Sequence, residues 1–197
     1  MVPSNSVPSA DGRHLRVVRG KEAAIDALLA LYTEGRPYPT FADIADRAGI
    51  SERTLFRYFG SYDDFIAESA RTLFPKIRKY FSTEPVGDDL HTRLVALAEL
   101  RCKFVKQYGA MIRSVDVLAA EWKAAKSLSD QREQLLADQL SSWLGSDRES
   151  ISDDTFALLQ NLYGWRSIDR MSGAVGKRAP DLLADAAMAI VKASVLH

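Results

Sequence analysis

Apolar residues recur along this chain every three or four positions, with no useful run at every second position. That period belongs to helices with one buried face. Ile25, Leu28, Leu29 and Tyr32 form a first stripe, closed by Gly35. Two short stripes follow, and then a helix is predicted from about Tyr62 to about Tyr80, with Pro75 placed to kink or end it. Pro85 and Gly87 mark a loop. Asp88 or Asp89 then caps a helix through Tyr108, with Leu94, Leu97, Ala98, Arg101, Phe104, Val105 and Tyr108 on its stripe and Gly109 as its stop. A short segment from Ala110 to about Ala125 precedes a helix from about Ser129 to Leu144, ended by Gly145. Asp153 or Asp154 opens the next helix, to about Met171. Ser172 to Ala179 reads as a loop, and Pro180 suits the first turn of a last helix ending near Leu196. The expected fold class is therefore all-α.

The two short stripes carry the chemistry. Residues 40–65 read TFADIADRAGISERTLFRYFGSYDDF. Thr40 is a good N-cap with Asp43 three residues on, close to a capping box. Ile44, Ala45 and Ala48 give the first short helix its apolar face, Gly49 can end it in the left-handed conformation, and Ile50 can pin the turn. Ser51 caps a second helix, Glu52 to about Phe59, in which Leu55, Tyr58 and Phe59 can face inward. Glu52, Arg53, Thr54 and Arg57 are left on the outer side. Ser61 caps a third helix with Asp63 and Asp64 in its first turn, where the helix dipole favours acids. Two short helices with a tight turn, the second presenting arginines, form a device for placing one helix in the major groove of DNA.

This stretch resembles the DNA-binding domain of the TetR family of transcriptional regulators. The resemblance rests on Thr40, Ile44-Ala45, Ala48-Gly49-Ile50-Ser51, Thr54-Leu55-Phe56, Tyr58-Phe59 and Ser61-Tyr62-Asp63-Asp64-Phe65. Tyr62 stands where the family commonly has a phosphate-touching Lys, and its hydroxyl brings no charge. The resemblance implies three parts: a disordered arm over residues 1–15, a helix-turn-helix DNA-binding domain over 16–62, and a helical ligand-binding and dimerisation domain over 63–197. It also implies a homodimer joined through the last two helices and a near-palindromic operator of double-stranded DNA. A small-molecule effector would release a repressor. The alternatives are a helical protein-interaction module and a DNA-binding regulator with no ligand.

Roles follow by residue type. Thr40, Ser51 and Tyr58, with Tyr62 as a weaker member, are expected at phosphates. Arg53, Thr54 and Arg57 are expected at base edges, since an Arg can bind guanine through two parallel bonds. Glu52 could accept from a cytosine or stabilise the helix start. For an effector pocket the candidates are Phe74, Phe104, Tyr108, Met111, Trp122, Trp143 and Tyr163, each of which could equally be plain core. Arg101 lies on an apolar stripe and needs a partner: an anionic ligand, an internal acid such as Asp116 or Glu121, or solvent.

Composition narrows the rest. Hydrophobic residues make up 47% of 197, and 26 basic residues balance 26 acidic ones, so charge alone does not draw this chain to nucleic acid. Between Arg13 and Gly60 eight basic residues (Arg13, Arg16, Arg19, Lys21, Arg36, Arg47, Arg53, Arg57) face six acidic ones (Glu22, Asp26, Glu34, Asp43, Asp46, Glu52). Arg13, Arg16 and Arg19 form either a basic arm or a solvated end. Cys102 has no partner for a disulfide. The polar N-terminus and the absence of a long apolar run give a cytoplasmic expectation. His14, His91 and His197 are scattered, and no Gly-rich phosphate loop occurs, so neither an enzyme, a metal nor a cofactor is expected.

Overall fold

The computed structural model describes residues 10–36 and 38–195, and all of its regular structure is helical. The helices are α1 (Ala10–Thr33), α2 (Phe41–Ala48), α3 (Glu52–Phe59), α4 (Tyr62–Phe81), α5 (Leu90–Leu118), α6 (Lys123–Leu144), α7 (Asp153–Leu162), α8 (Trp165–Val175) and α9 (Ala179–Val195). Single 3₁₀ turns join α6 to α7 and α8 to α9. Helices α1 to α3 with the start of α4 form an N-terminal head, and α5 to α9 form a larger bundle.

Two apolar cores result. The head core gathers Ile25, Leu28, Ile44, Leu55, Phe59 and Phe65. The bundle core gathers Leu94, Leu97, Phe104, Leu140, Trp143, Leu159 and Leu183. The head is seated on the bundle rather than tethered to it. Ala125 of α6 belongs to the head core, and Met111, Val115 and Trp122 pack against it. The Tyr62 ring lies 4.5 Å from that of Trp122. Asp63 accepts from the Ala124 N–H at 3.3 Å, so α4 supplies an acid to the start of α6, which has no side-chain cap of its own.

Several expected boundaries move. Helix α1 begins at Ala10, so residues 10–15 of the expected arm are helical, while residues 1–9 of that arm lie outside the described residues. Pro75 sits within α4 and does not end it. Gly109 does not stop α5, which runs on to Leu118. A Cβ at Gly109 would meet Val105 Cγ1 at 3.3 Å and the Arg113 guanidinium at 3.4 Å, so this glycine serves packing beside α8. Helix α6 starts at Lys123, ahead of the expected Ser129. The single helix expected from Asp153 to Met171 is two, capped by Ser152 and broken at Gly164. Residues Ser172 to Val175, expected in a loop, complete α8.

Arg101 corrects a sharper expectation. It is buried, and it meets neither an acid nor solvent. Its guanidinium donates to Gln139 Oε1 at 3.1 Å, the Tyr163 carbonyl at 2.5 Å and the Leu136 carbonyl at 2.6 Å. Burial pushes its pKa down to about 9, against the pull of Tyr163 and Glu133, so it remains charged at neutral pH. Asp116 instead holds Arg132 and Arg166, at 2.8 and 3.1 Å. Arg101 is thus a three-way tie between α5, α6 and the end of α7.

Candidate nucleic-acid interface

Helix α2 is set by its ends. The Thr40 hydroxyl accepts from the Asp43 N–H at 3.1 Å, and the Asp43 carboxylate accepts from the Thr40 N–H at 2.9 Å. The Thr40 backbone and hydroxyl, with Arg36 at 2.6 Å, hold the Asp43 carboxyl below the ordinary carboxylate range. Gly49 takes φ 67° and ψ 31°, a conformation unfavourable for residues with a Cβ, and turns the chain into α3. Ser51 accepts from the Thr54 N–H at 3.2 Å and caps α3. Ile44 and Ala45 from α2 and Leu55 and Phe59 from α3 are buried, which fixes the roll of both helices.

What remains outside α3 is the functional face. Glu52, Arg53 and Arg57 are exposed, and Thr54 and Tyr58 are half-buried. The basic residues of the head divide sharply. Lys21 pairs with Glu68, Arg36 with Asp43 and Arg47 with Glu34. Arg16 donates to its own helix at the Gly12 carbonyl, and the Arg13 side chain lies outside the described residues. Arg53 stands without an acid, and Arg57 reaches only over the Tyr58 ring at 5.5 Å. The small basic excess legible in composition is therefore concentrated on α3.

Tyr58 and Tyr62, both expected at phosphates, are held differently. The Tyr58 ring lies over Gly20 of α1, where a Cβ would come within 2.6 Å of Tyr58 Cε2 and 2.8 Å of its hydroxyl. No pattern in the sequence signals this pairing across 38 positions (58 less 20). Tyr62 departs from its expected role. Its hydroxyl donates to the Pro39 carbonyl at 2.7 Å, and its ring packs against Phe41 and Trp122. Burial pushes its pKa up to about 12. Its one proton is committed within the protein, which makes it a joint between head and bundle. Phe56, outside the expected site set, is exposed on α3 with its ring edge-on to Phe41 at 4.8 Å.

Of the side chains expected in a pocket, Phe74, Phe104 and Met111 line one cavity together. Arg101, Tyr108, Trp122, Trp143 and Tyr163 do not line it. Trp143 and Tyr163 are core residues whose polar atoms donate to the Thr83 and Leu94 carbonyls. Tyr108 packs on Tyr80 and Phe104, and Trp122 packs on Tyr62.

A short helix with two unpaired arginines, set across a second helix by a left-handed glycine turn, defines a helix-turn-helix DNA-binding protein. Residues 25–69 match the profile of the bacterial regulatory proteins of the tetR family. A crystal structure of a transcriptional regulator from Rhodococcus sp. Rha1 shares the fold, with a TM-score of 0.61 at 19% identity over 91% of this chain and 96% of that one. No curated protein sequence matches the chain. This chain carries the TetR-family head and is a transcriptional regulator of that family.

Proposed function

We infer that the chain is a repressor that binds a near-palindromic duplex site as a homodimer and leaves it when a small molecule binds the bundle. The observation carrying the DNA part is the outer face of α3, where Arg53 and Arg57 are exposed and unmatched by any acid. Arg53, Thr54 and Arg57 read base edges. Thr40, Ser51 and Tyr58 hold phosphates, and Glu52 stabilises the start of α3. One eight-residue helix offers few base contacts, so specificity calls for two heads in successive major grooves, about 34 Å apart.

A second copy has a surface to meet. Leu182, Ala186, Ala189 and Ala193 are exposed on α9 at helical spacing, and Leu158 of α7 is 57% exposed. Small side chains let a second helix approach closely, and an exposed apolar patch on a regulator marks an interface. Among the described residues no helix is long and apolar enough to cross a membrane, which accords with a cytoplasmic site of action.

Selection of bound sequences from random duplex DNA tests this reading. It should return a two-fold symmetric site. Arg57→Ala should relax preference at one position per half-site, where the Arg supplies about 1–3 kcal/mol of discrimination. Uniform weakening across all sequences would make Arg57 a phosphate contact, and recovery of no preferred sequence would remove the regulator reading.

A further inference from the structure

Between the head and the bundle lies a cavity of about 90 Å³. Leu28 and Tyr32 of α1 form one wall, Ser69 and Phe74 of α4 a second, and Met111 of α5 and Leu128 of α6 the rest. Its surface is almost wholly apolar, with two exceptions. The hydroxyls of Tyr32 and Ser69 are shielded from solvent and have no hydrogen-bond partner, and each residue is 3% exposed. Proteins rarely bury hydroxyls unsatisfied, because the lost hydration goes uncompensated. The one charged group in the wall is Arg132, and Asp116 and Ser129 already engage it at 2.8 and 3.0 Å. Nothing in the cavity calls for an ion.

Ala70, Phe74 and Leu128 also border an open groove between α4 and α6, about 410 Å³, which passes Ala67 and Pro75 and reaches the surface. The cavity and the groove are adjoining spaces. The first has unsatisfied hydroxyls at its inner end, and the second has mainly apolar sides.

We propose that this junction is the effector site and that it takes an uncharged, mainly aliphatic molecule with one terminal oxygen function, an alcohol or ketone. The oxygen accepts from Tyr32 and Ser69, and the carbon chain runs past Phe74 and Leu128 into the groove. The proposal rests on the repressor reading above and adds to it the place and chemistry of the ligand. Because α1 supplies one wall, a molecule lodged there bears directly on the head. It need not work through the aromatic core of the bundle.

The test uses the full chain and the series 1-butanol, 1-pentanol and 1-hexanol, with binding followed by NMR shifts. Saturable binding should tighten by roughly fourfold per methylene as the tail fills the groove. Tyr32→Phe combined with Ser69→Ala should weaken 1-hexanol binding by about tenfold. Without alcohol, that variant should melt at the same temperature as the wild type or higher, since two unsatisfied groups are gone. Hydroxyls with a merely structural role would give a lower melting temperature, and that result overturns the proposal. So does 1-hexanol binding that is absent up to its solubility limit or unchanged in the variant. 1-Hexanol should also weaken binding to the selected duplex for the wild type and much less for the variant; unchanged DNA affinity with the cavity filled overturns the effector role. Failure to recover any preferred duplex sinks the repressor reading instead, while the alcohol titration still reports on the cavity.

Discussion

Gly20→Ala is a small change far from α3 in sequence, yet it should act on DNA affinity more than on stability. The added Cβ would stand 2.6 Å from Tyr58 Cε2, 2.8 Å from its hydroxyl oxygen and 3.0 Å from Cζ. Carbon atoms rest about 3.5–4.0 Å apart, so the ring must retreat by about 1 Å. It can do so by swinging at the end of its side chain, without unseating α1. The helix gains about 0.5–1 kcal/mol from replacing glycine, which offsets the adjustment, and the thermal midpoint should barely move. A hydroxyl displaced by 1 Å loses its proposed hydrogen bond to a phosphate. A bond to a charged group contributes about 1.5 kcal/mol or more, so each half-site should weaken by about tenfold and a two-headed site by about a hundredfold. Fluorescence anisotropy on the selected duplex would measure this, beside a melting curve. In a Tyr58→Phe background the glycine substitution should have little further effect on affinity, because the hydroxyl is already absent. Unchanged affinity for Gly20→Ala refutes the reasoning. So does an equal loss in both backgrounds, which would mean that α1 itself had shifted.

Other consequences follow from single contacts. Arg101→Met removes the donor from Gln139 Oε1 and the Tyr163 carbonyl inside the bundle. Two stranded acceptors cost about 2–5 kcal/mol, which at this chain length lowers the melting temperature by about 5–15 °C, and an unchanged melting curve would contradict the three-way tie. Asp43 has a folded pKa below its ordinary value, held there first by the Thr40 backbone N–H. Its contribution is therefore complete above about pH 4 and is lost as pH falls through the folded value. Wild type should lose urea resistance more steeply than Asp43→Asn below that pH, and parallel curves would deny the capping box a stabilising role. Ala186→Glu on the outer face of α9 should yield a monomer by sedimentation with its helical signal intact, whereas a persistent dimer would place the interface elsewhere.

The head was legible in the sequence because its determinants are local. Thr40, Gly49, Ser51 and Ser61 each act within about four residues, and the short stripes around them admit only one roll of α2 and α3, so the outward face of Arg53, Thr54 and Arg57 could be read directly. The bundle was legible as helices but not as particular helices. A glycine in a periodic run reads equally as a stop or as a site of close approach, and the neighbour that decides between them lies on another element. At Gly109 that neighbour is α8, and at Gly20 it is the Tyr58 ring. The sequence also marked Arg101 as needing a partner without being able to name one, since carbonyls of Leu136 and Tyr163 carry no side-chain signature. Tyr62 turned inward for a similar reason: the Pro39 carbonyl that engages it is brought close only when α4 folds back beneath α2. Local capping chemistry thus determined the DNA-reading face, whereas packing between distant elements decided which aromatics became core, which became a joint, and where two hydroxyls were left facing an empty space.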